Sequence, residues 1–388
     1  MNNAVIVDVI RTASGKGKPG GALSGIHPVE LLATTIRGLL QRSELDPELV
    51  DDVIAGCVSQ SGEQAANVAR NAALAAGLPE TVPATTVDRQ CGSSQQAAHF
   101  AAQGVIAGAY DVVIACGVES MSRVPMFSNF AGKDPYQPLE RRYPDGLVPQ
   151  GISAELIAAR WKLDRSTLDE FAAESHRRAA AATASGAFAA EILPIGEHSV
   201  DETIRASTTV DGLAGLKPSF QDPALADRFP EIGWSITAGN SSPLTDGASA
   251  ALIMSEERAR TLGLTPRARF AGFAVTGSDP LLMLTGVIPA TRKLLDRSGL
   301  SLDDIDAYEV NEAFAPVPLV WQQEFNADPG RLNPRGGAIA LGHPLGASGT
   351  KLLTTLVNQL ETTRGRYGLQ TMCEGGGMAN AMIIERLG

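Results

Sequence analysis

The chain has few of the residues that build disulfide frameworks, zinc sites or nucleic-acid surfaces. Its 388 residues include only four cysteines, none in a C-x-x-C pair, so the spacing indicates neither a structural zinc site nor a set of disulfides. Aromatic residues make up 5% of the chain, and long basic runs are absent; nucleic-acid platforms usually combine both features. We therefore expect reduced thiols, no metal and no nucleic-acid partner.

Long apolar runs are also missing. No stretch of about 18 apolar residues is present, and the chain opens on the alternating apolar run 4–10 instead of a charged and then apolar leader. These two absences predict a soluble, unprocessed, cytoplasmic protein without a membrane span. The net charge of −11 still allows a local basic patch for one small anionic ligand.

Length and apolar patterning predict an α/β protein with more than one domain. Up to residue 117, strand and helix patterns alternate as in βαβ units. The region that follows is rich in turn residues and contains the amphipathic helix 165–185, so we interpret it as an inserted loop domain; the α/β pattern returns near Ala248. The elements predicted before the insertion are strands at 4–10, 50–58, 85–88 and 111–116 and helices at 28–43, 67–76 and 92–107.

One internal repeat predicts two copies of the same domain. The run LLQRSEL at 39–45 recurs as LLDRSGL at 294–300, an offset of 255 residues, and each run is followed by acidic residues and a predicted strand. The same offset places Cys91 opposite Gly346, inside a glycine-rich turn that leads into a second buried helix, 343–356. A chance match is the alternative. A duplicated chain would bring two related domains together around a pair of central helices, with a site between them.

Cys91 is the first candidate catalytic residue. It lies where a small-residue turn becomes the predicted helix 92–107. The free N–H groups and positive dipole end of a helix lower the pKa of a nearby thiol and favour the nucleophilic thiolate. The alternative is a small buried apolar residue, since free cysteines are among the most buried residue types.

Three runs in the second half concentrate reactive and loop-forming residues. His343 lies in a constrained Gly-His-Pro turn, where an imidazole can be held for acid–base chemistry or be a core histidine bonded to a carbonyl oxygen. Cys373 and Glu374 precede three glycines, which would either present N–H groups to an oxyanion or form a simple bend. Asn311 follows a predicted strand and would either position a water molecule or cap a helix.

These motifs, taken together, resemble those of the thiolase family, the acetyl-CoA C-acyltransferases, over essentially the whole chain. The resemblance implies two duplicated βαβαβαββ domains packed in layers, the first formed by 1–117 and completed by 248–267, the second by 268–388, with the loop domain 118–247 inserted. The six matching runs are RQCGSS (89–94), GVESMS (117–122), TAGNSSPLTDGASA (237–250), NEAFAPVP (311–318), NPRGGAIALGHPLGASG (333–349) and CEGGGMANA (373–381).

The resemblance also implies a role for each reactive residue. Cys91 would accept the acyl group and His343 would be the base that activates it. Cys373 would be the second acid–base group, acting at the α-carbon. Asn311 would hold a water molecule in one oxyanion site, and the N–H groups of Cys91 and Gly375 would form the other.

Coenzyme A would be a substrate, and no cofactor would be bound permanently. Gln150 occupies a position where short-chain synthetic members often have methionine, and the segment 220–237 is longer and more acidic than usual; both departures concern the acyl pocket and the CoA entrance. The residues matched to the CoA contacts are Ser242, Ala238, Gly239, Phe314, Leu345 and Lys217.

The resulting prediction is a homodimeric or homotetrameric acyltransferase that cleaves 3-oxoacyl-CoA or runs the reverse condensation. The alternative β-ketoacyl synthases share the fold but pair the cysteine with two histidines or a histidine and an asparagine, whereas this chain offers Cys373. A non-catalytic acyl-CoA or lipid-binding homologue would be expected to lack at least one of the three reactive residues, and all three are present. The sequence leaves the direction and the acyl-chain length open.

Overall fold

The computed structural model describes residues 3–388, which form one large mixed sheet. Two central helices pack between the halves of the sheet, and other helices cover its outer faces. The strands are β1 (Ala4–Thr12), β2 (Gly15–Lys16), β3 (Asp52–Gly56), β4 (Ala84–Val87), β5 (Val112–Ser120), β6 (Ile192–Leu193), β7 (Thr245–Ser255), β8 (Ala268–Gly277), β9 (Ala307–Val310), β10 (Tyr367–Glu374) and β11 (Met378–Arg386). The helices are α1 (Pro28–Ser43), α2 (Val68–Ala76), α3 (Ser93–Ala107), α4 (Gln150–Arg160), α5 (Arg165–Ala184), α6 (Val210–Ala214), α7 (Pro223–Arg228), α8 (Glu256–Thr261), α9 (Val287–Ser298), α10 (Pro316–Phe325), α11 (Ala338–Leu341) and α12 (Ser348–Thr363).

The sheet consists of two half-sheets with the same strand order. One runs β4-β3-β5-β7-β1 and the other β9-β10-β11-β8, and they meet where β1 pairs with the beginning of β8. The pairs β4-β3 and β3-β5 in one half and β9-β10 in the other are parallel. The remaining neighbouring strands within each half are antiparallel. A parallel bridge between Tyr308 and Leu332 takes the place beside β9 that β4 has beside β3. Because β9 begins 255 residues after β3, and β10 the same distance after β5, the predicted repeat is confirmed.

The layers follow from alternating side chains on the strands. In β3, Val53 and Ala55 belong to the apolar core beneath α1 and α2, whereas Ile54 belongs to the central core with side chains of α3 and α12. A third core lies under α4, α9 and α10, on the outer face of the second half-sheet. The central helices are therefore covered by a half-sheet on each side.

The predicted elements of the first part are confirmed to within a few residues, and helix 165–185 is α5. The nearly uniform small and apolar character of the helix after Cys91 predicts burial on every side, and this is wrong for its C-terminal half: Phe100 is 42% exposed, and Gln103 and Ala107 are exposed as well. The domain limits at 117, 247 and 267 stay predictions.

The two central helices approach each other closely near their N-termini. Thr350 N–H donates to Ser94 Oγ at 3.0 Å, and a Cβ on Gly349 would lie 2.0 Å from the backbone nitrogen of Gln95. Only glycine allows this approach. Since Cys91 precedes α3 and His343 precedes α12, the crossing brings the two reactive residues into the same region.

Candidate active site

Cys91 lies in a tight turn before α3. Gln90 has a positive φ of 49°, and Ser93 Oγ accepts a hydrogen bond from Arg89 N–H at 2.9 Å and donates one to the carbonyl of Gln90. The Cys91 side chain is 4% exposed. It packs in a small apolar cluster whose other members are Val58, Met121, Leu345, Leu352 and Met372.

This environment overturns one expectation about Cys91. Burial raises the pKa of its thiol well above the usual value, and the neighbouring Cys373 and Glu374 raise it further. The prediction of a lowered pKa at the helix N-terminus is wrong, because desolvation outweighs the helix dipole. Cys91 is therefore held as a neutral thiol.

His343 is oriented by two hydrogen bonds. Its backbone N–H donates to Thr245 Oγ1 at 2.9 Å, and its ring Nδ1 lies 2.6 Å from Ser348 Oγ. The single proton of Ser348 Oγ is donated to the carbonyl of Pro344 at 2.8 Å, so Nδ1 must be the donor and Nε2 carries the lone pair. Burial lowers the pKa of His343 to about 3. The imidazole is therefore neutral, and the core-histidine alternative, a bond to a carbonyl oxygen, does not describe it.

Asn311 connects His343 with Cys373. Its Nδ2 lies 3.5 Å from His343 Nε2 and 3.9 Å from Cys373 Sγ, while its buried Oδ1 has no partner among residues 3–388. Asn311 directly follows β9 and does not cap α10, which begins at Pro316. The helix-cap alternative is thus wrong, and the amide is free to orient a bound water or substrate oxygen. Burial raises the pKa of Cys373 to about 12.

Two glutamines flank Gly375. A Cβ on Gly375 would lie 3.0 Å from Gln150 Nε2 and 3.2 Å from Gln90 Oε1. The family resemblance connects Gln150 with the acyl pocket, whereas it gives Gln90 no role. The positive φ of Gln90, which directs its side chain here, has no sequence signal because glutamine rarely adopts this conformation.

Glu374 was also assigned no role by the motif. Both of its carboxyl oxygens are buried without a partner in the described part of the chain, and a Cβ on Gly92 would lie 2.0 Å from its Oε1. Burial raises the pKa of Glu374 to about 8. A neutral carboxyl group therefore lies beside the peptide of the reactive cysteine.

The residues matched to CoA contacts lie in several environments. Ser242 N–H donates to the carbonyl of Ala313 at 3.0 Å, and Phe314 packs edge-on against Phe220 at 5.9 Å. Leu345 belongs to the apolar cluster around Cys91. Gly239 is buried, whereas Ala238 and Lys217 are exposed.

The described residues show neither of two other features. Residues 3–388 hold no group of three or more His, Cys, Asp or Glu side chains placed to bind a metal ion. None of their helices combines the length and apolarity needed to cross a membrane.

A buried thiol, a neutral histidine and a second thiol at the meeting point of two duplicated half-domains define an acyltransferase of the cysteine type. Family comparisons give the particular class. The model of the thiolase N-terminal domain matches residues 4–257, and that of the thiolase C-terminal domain matches residues 264–386. The chain belongs to the thiolase family, which confirms the resemblance.

Relatives and a solved structure extend the match over full length. The chain is 50% identical to the steroid 3-ketoacyl-CoA thiolase FadA6 of Mycobacterium tuberculosis, covering 100% of this chain and 95% of that protein. It is 46% identical to the 3-ketoacyl-CoA thiolase of Photobacterium profundum, covering 100% of both. The crystal structure of the Bacillus anthracis acetyl-CoA acetyltransferase superposes with a TM-score of 0.89 at 37% identity, over 100% of this chain and 99% of that one. The predicted fold class and acyltransferase activity are confirmed.

Proposed function

We propose that this thiolase cleaves 3-oxoacyl-CoA with a second CoA, through an acyl group carried on Cys91. The observation that supports the proposal best is the orientation of His343, whose Nε2 lone pair faces the Asn311 amide and the Cys373 side of the site. Such a base has a proton to accept only from a nearby thiol or water. Cys91, at the start of the facing helix, is the thiol we assign to it.

In the first step, Cys91 Sγ attacks the 3-oxo carbon while its proton moves to His343 Nε2. The Cys91 thiol and the His343 imidazole are both neutral, so the proton does not move before the attack. The transfer is driven by the substrate, because charge develops on the oxo oxygen and is stabilised by oriented donors. We assign these donors to the N–H groups of Cys91 and Gly375. The bond between C2 and C3 then breaks, leaving the acyl group on sulfur and a carbanion at C2 of acetyl-CoA.

In the second step, Cys373 donates its proton to that carbanion and becomes a thiolate. An incoming CoA thiol then gives its proton to Cys373 and attacks the acyl-cysteine carbonyl, which releases acyl-CoA and returns the proton of His343 to Cys91. The thiolester is exchanged for another thiolester, so the acyl group stays activated throughout. Two acid–base groups are needed because the nucleophile must lose a proton and the carbanion, at a different atom, must gain one.

Direct product analysis tests this function. The protein is incubated with a 3-oxoacyl-CoA and CoA, and the CoA products are separated and weighed by mass spectrometry. We expect acetyl-CoA and an acyl-CoA shorter by two carbons, and a His343→Ala variant should form neither at a measurable rate. Release of free acid or loss of carbon dioxide instead would contradict the proposal.

We further propose a preference for acyl groups larger than acetyl. Gln150 lies beside Gly375 instead of pointing away from the site, which argues against the alternative that it only contacts solvent. An amide in place of an apolar methionine wall makes a tight small-acyl pocket unfavourable, because the amide needs water or polar partners. The name of the Mycobacterium relative, a steroid thiolase, supports a bulky substrate.

The measurement is the ratio of kcat/KM for a longer or branched 3-oxoacyl-CoA to that for acetoacetyl-CoA. We expect the ratio to exceed one in the native protein. It should fall about tenfold in Gln150→Met, which is the effect expected when the pocket gains about one apolar contact. Gln103→Met, an exposed site on α3, is the matched control and should leave the ratio unchanged. Clear preference of the native protein for acetoacetyl-CoA would sink this proposal.

The protein is also proposed to be a homodimer or homotetramer in the cytoplasm. Strand β4 is the free edge of the sheet, and the helices packed beside it carry two large exposed side chains, Leu74 at 43% and Phe100 at 42%. Open strand edges next to apolar side chains are suited to subunit pairing. Light scattering at micromolar concentration should give at least twice the chain mass.

A Leu74→Asp/Phe100→Asp variant should shift this mass toward the monomer. Val200→Asp, at a side chain 52% exposed elsewhere on the surface, is the control and should not. A monomeric native protein, or a double variant with unchanged mass, would contradict the proposed surface.

A further inference from the structure

A buried lysine lies behind the loop that carries His343. Lys351 is on α12, one turn after Ser348, and is 4% exposed. Its Nζ donates to the carbonyl oxygens of Leu341 and Gly342 and to Ser14 Oγ, the last two at 2.9 Å. The two carbonyls belong to the residues that immediately precede His343.

The same contacts connect three parts of the chain. Ser14 Oγ donates to the carbonyl of Leu341 at 2.6 Å, and Ser14 N–H donates to Asp201 Oδ1 at 2.7 Å. Asp201 lies in the inserted region and pairs with Arg11 of β1 at 2.8 Å, as does Glu191. These ionic side chains are fully buried, so breaking any one contact leaves an unpaired group and is costly.

We propose that Lys351 is a positioning residue for the catalytic base: by binding the carbonyls of Leu341 and Gly342 it fixes the peptide that carries His343, and so the direction in which Nε2 points. The inference rests on the proposed role of His343. Gly342 has a positive φ of 80°. A glycine that nothing restrains adopts this conformation and many others. The loop therefore needs external contacts to hold it. Thr245 binds the backbone N–H of His343 and Ser348 restrains the ring, but neither of them holds the two carbonyls that Lys351 binds.

The charge of Lys351 acts on His343 in addition to its hydrogen bonds. It adds to burial in lowering the pKa of His343, which keeps the imidazole unprotonated. The charged groups that face Lys351 are Asp201 and Glu191 from the inserted region and Arg11 from β1. Burial lowers the pKa of Lys351 itself to about 7, and Asp201 opposes this shift.

The test is the pH dependence of thiolysis in Lys351→Met, measured as kcat and KM per folded molecule. We expect kcat to fall roughly 100-fold, the effect of a small misplacement of a catalytic group, with KM nearly unchanged. The acidic limb of kcat/KM should move to higher pH because the positive charge that disfavours imidazolium is gone. Lys293→Met is the matched control, since Lys293 is an exposed lysine with one bond to a backbone carbonyl, and it should behave as the native protein.

Two further variants keep the outcome decisive. Lys351→Gln retains two N–H donors without the charge; it should move the acidic limb with a smaller loss of kcat, and it replaces the methionine variant if that one does not fold. Native kcat and an unmoved limb in either variant, or a lowered melting temperature as the sole effect, would overturn the inference. His343→Ala distinguishes failure of the proposed function from failure of this inference. If His343→Ala stays active, the proposed role of His343 is wrong. If His343→Ala is inactive while Lys351→Met is active, only the positioning role of Lys351 is wrong.

Discussion

Cys91→Ser is expected to abolish acyl transfer, with a loss of kcat on the order of 10⁴-fold or more, as for other removed nucleophiles. A serine hydroxyl has a far higher pKa than a thiol. Because burial lowers the pKa of His343 to about 3, proton transfer to it is far less favourable from a hydroxyl than from a thiol. Steady-state thiolysis and the intact mass of the protein after incubation with acyl-CoA are the two measurements.

The native protein should gain the mass of one acyl group, located on the peptide that contains Cys91, and Cys91→Ser should gain none. Cys116→Ala is the matched control, because Cys116 is also a buried free cysteine but lies within β5. It should keep the adduct and most of the activity. An acyl group found on Cys373 would reverse the assignment of the two cysteines.

Gly349→Ala is expected to have the largest effect on stability, a loss of about 3 kcal/mol. The added Cβ would lie 2.0 Å from the backbone nitrogen and 2.7 Å from the Cα of Gln95. Backbone atoms inside a helix that is covered on both sides have no room to yield, so α3 and α12 must separate. The measurement is the midpoint of thermal and urea unfolding, followed by circular dichroism.

Gly215→Ala provides the same chemical change without the contact. Gly215 has an ordinary φ of −74°, and a Cβ placed there meets no atom within 4 Å. Its unfolding midpoint should match that of the native protein. Equal midpoints for the two variants would show that the central helices are not packed as tightly as the structure describes.

Local signals in the sequence predicted most of the elements and the repeat. Helix α1 begins at Pro28 and ends before Glu44, which has the left-handed conformation. Its copy α9 ends before Gly299 in the same way. The matching runs LLQRSEL and LLDRSGL cover the C-terminal ends of these two helices. The two halves have the same strand order because the duplicated segment has the same connections twice.

Features that depend on distant parts of the chain could not be predicted in this way. The dipole of α3 is a local property of one helix, whereas the raised pKa of Cys91 comes from burial among Met121, Leu345 and other apolar groups supplied by remote segments. Lys351 and Ser14 are separated by 337 residues. No spacing rule connects them, since their contact exists only when the inserted region and both halves have assembled.

The duplicated fold also explains why each chain contains one reaction centre and not two. The offset of 255 residues pairs Cys91 with Gly346 and His343 with Asp88, so the first copy carries the proposed nucleophile without the proposed base, and the second copy carries the base without the nucleophile. The two halves therefore depend on each other for the proposed chemistry, because neither of them holds all of the proposed catalytic groups.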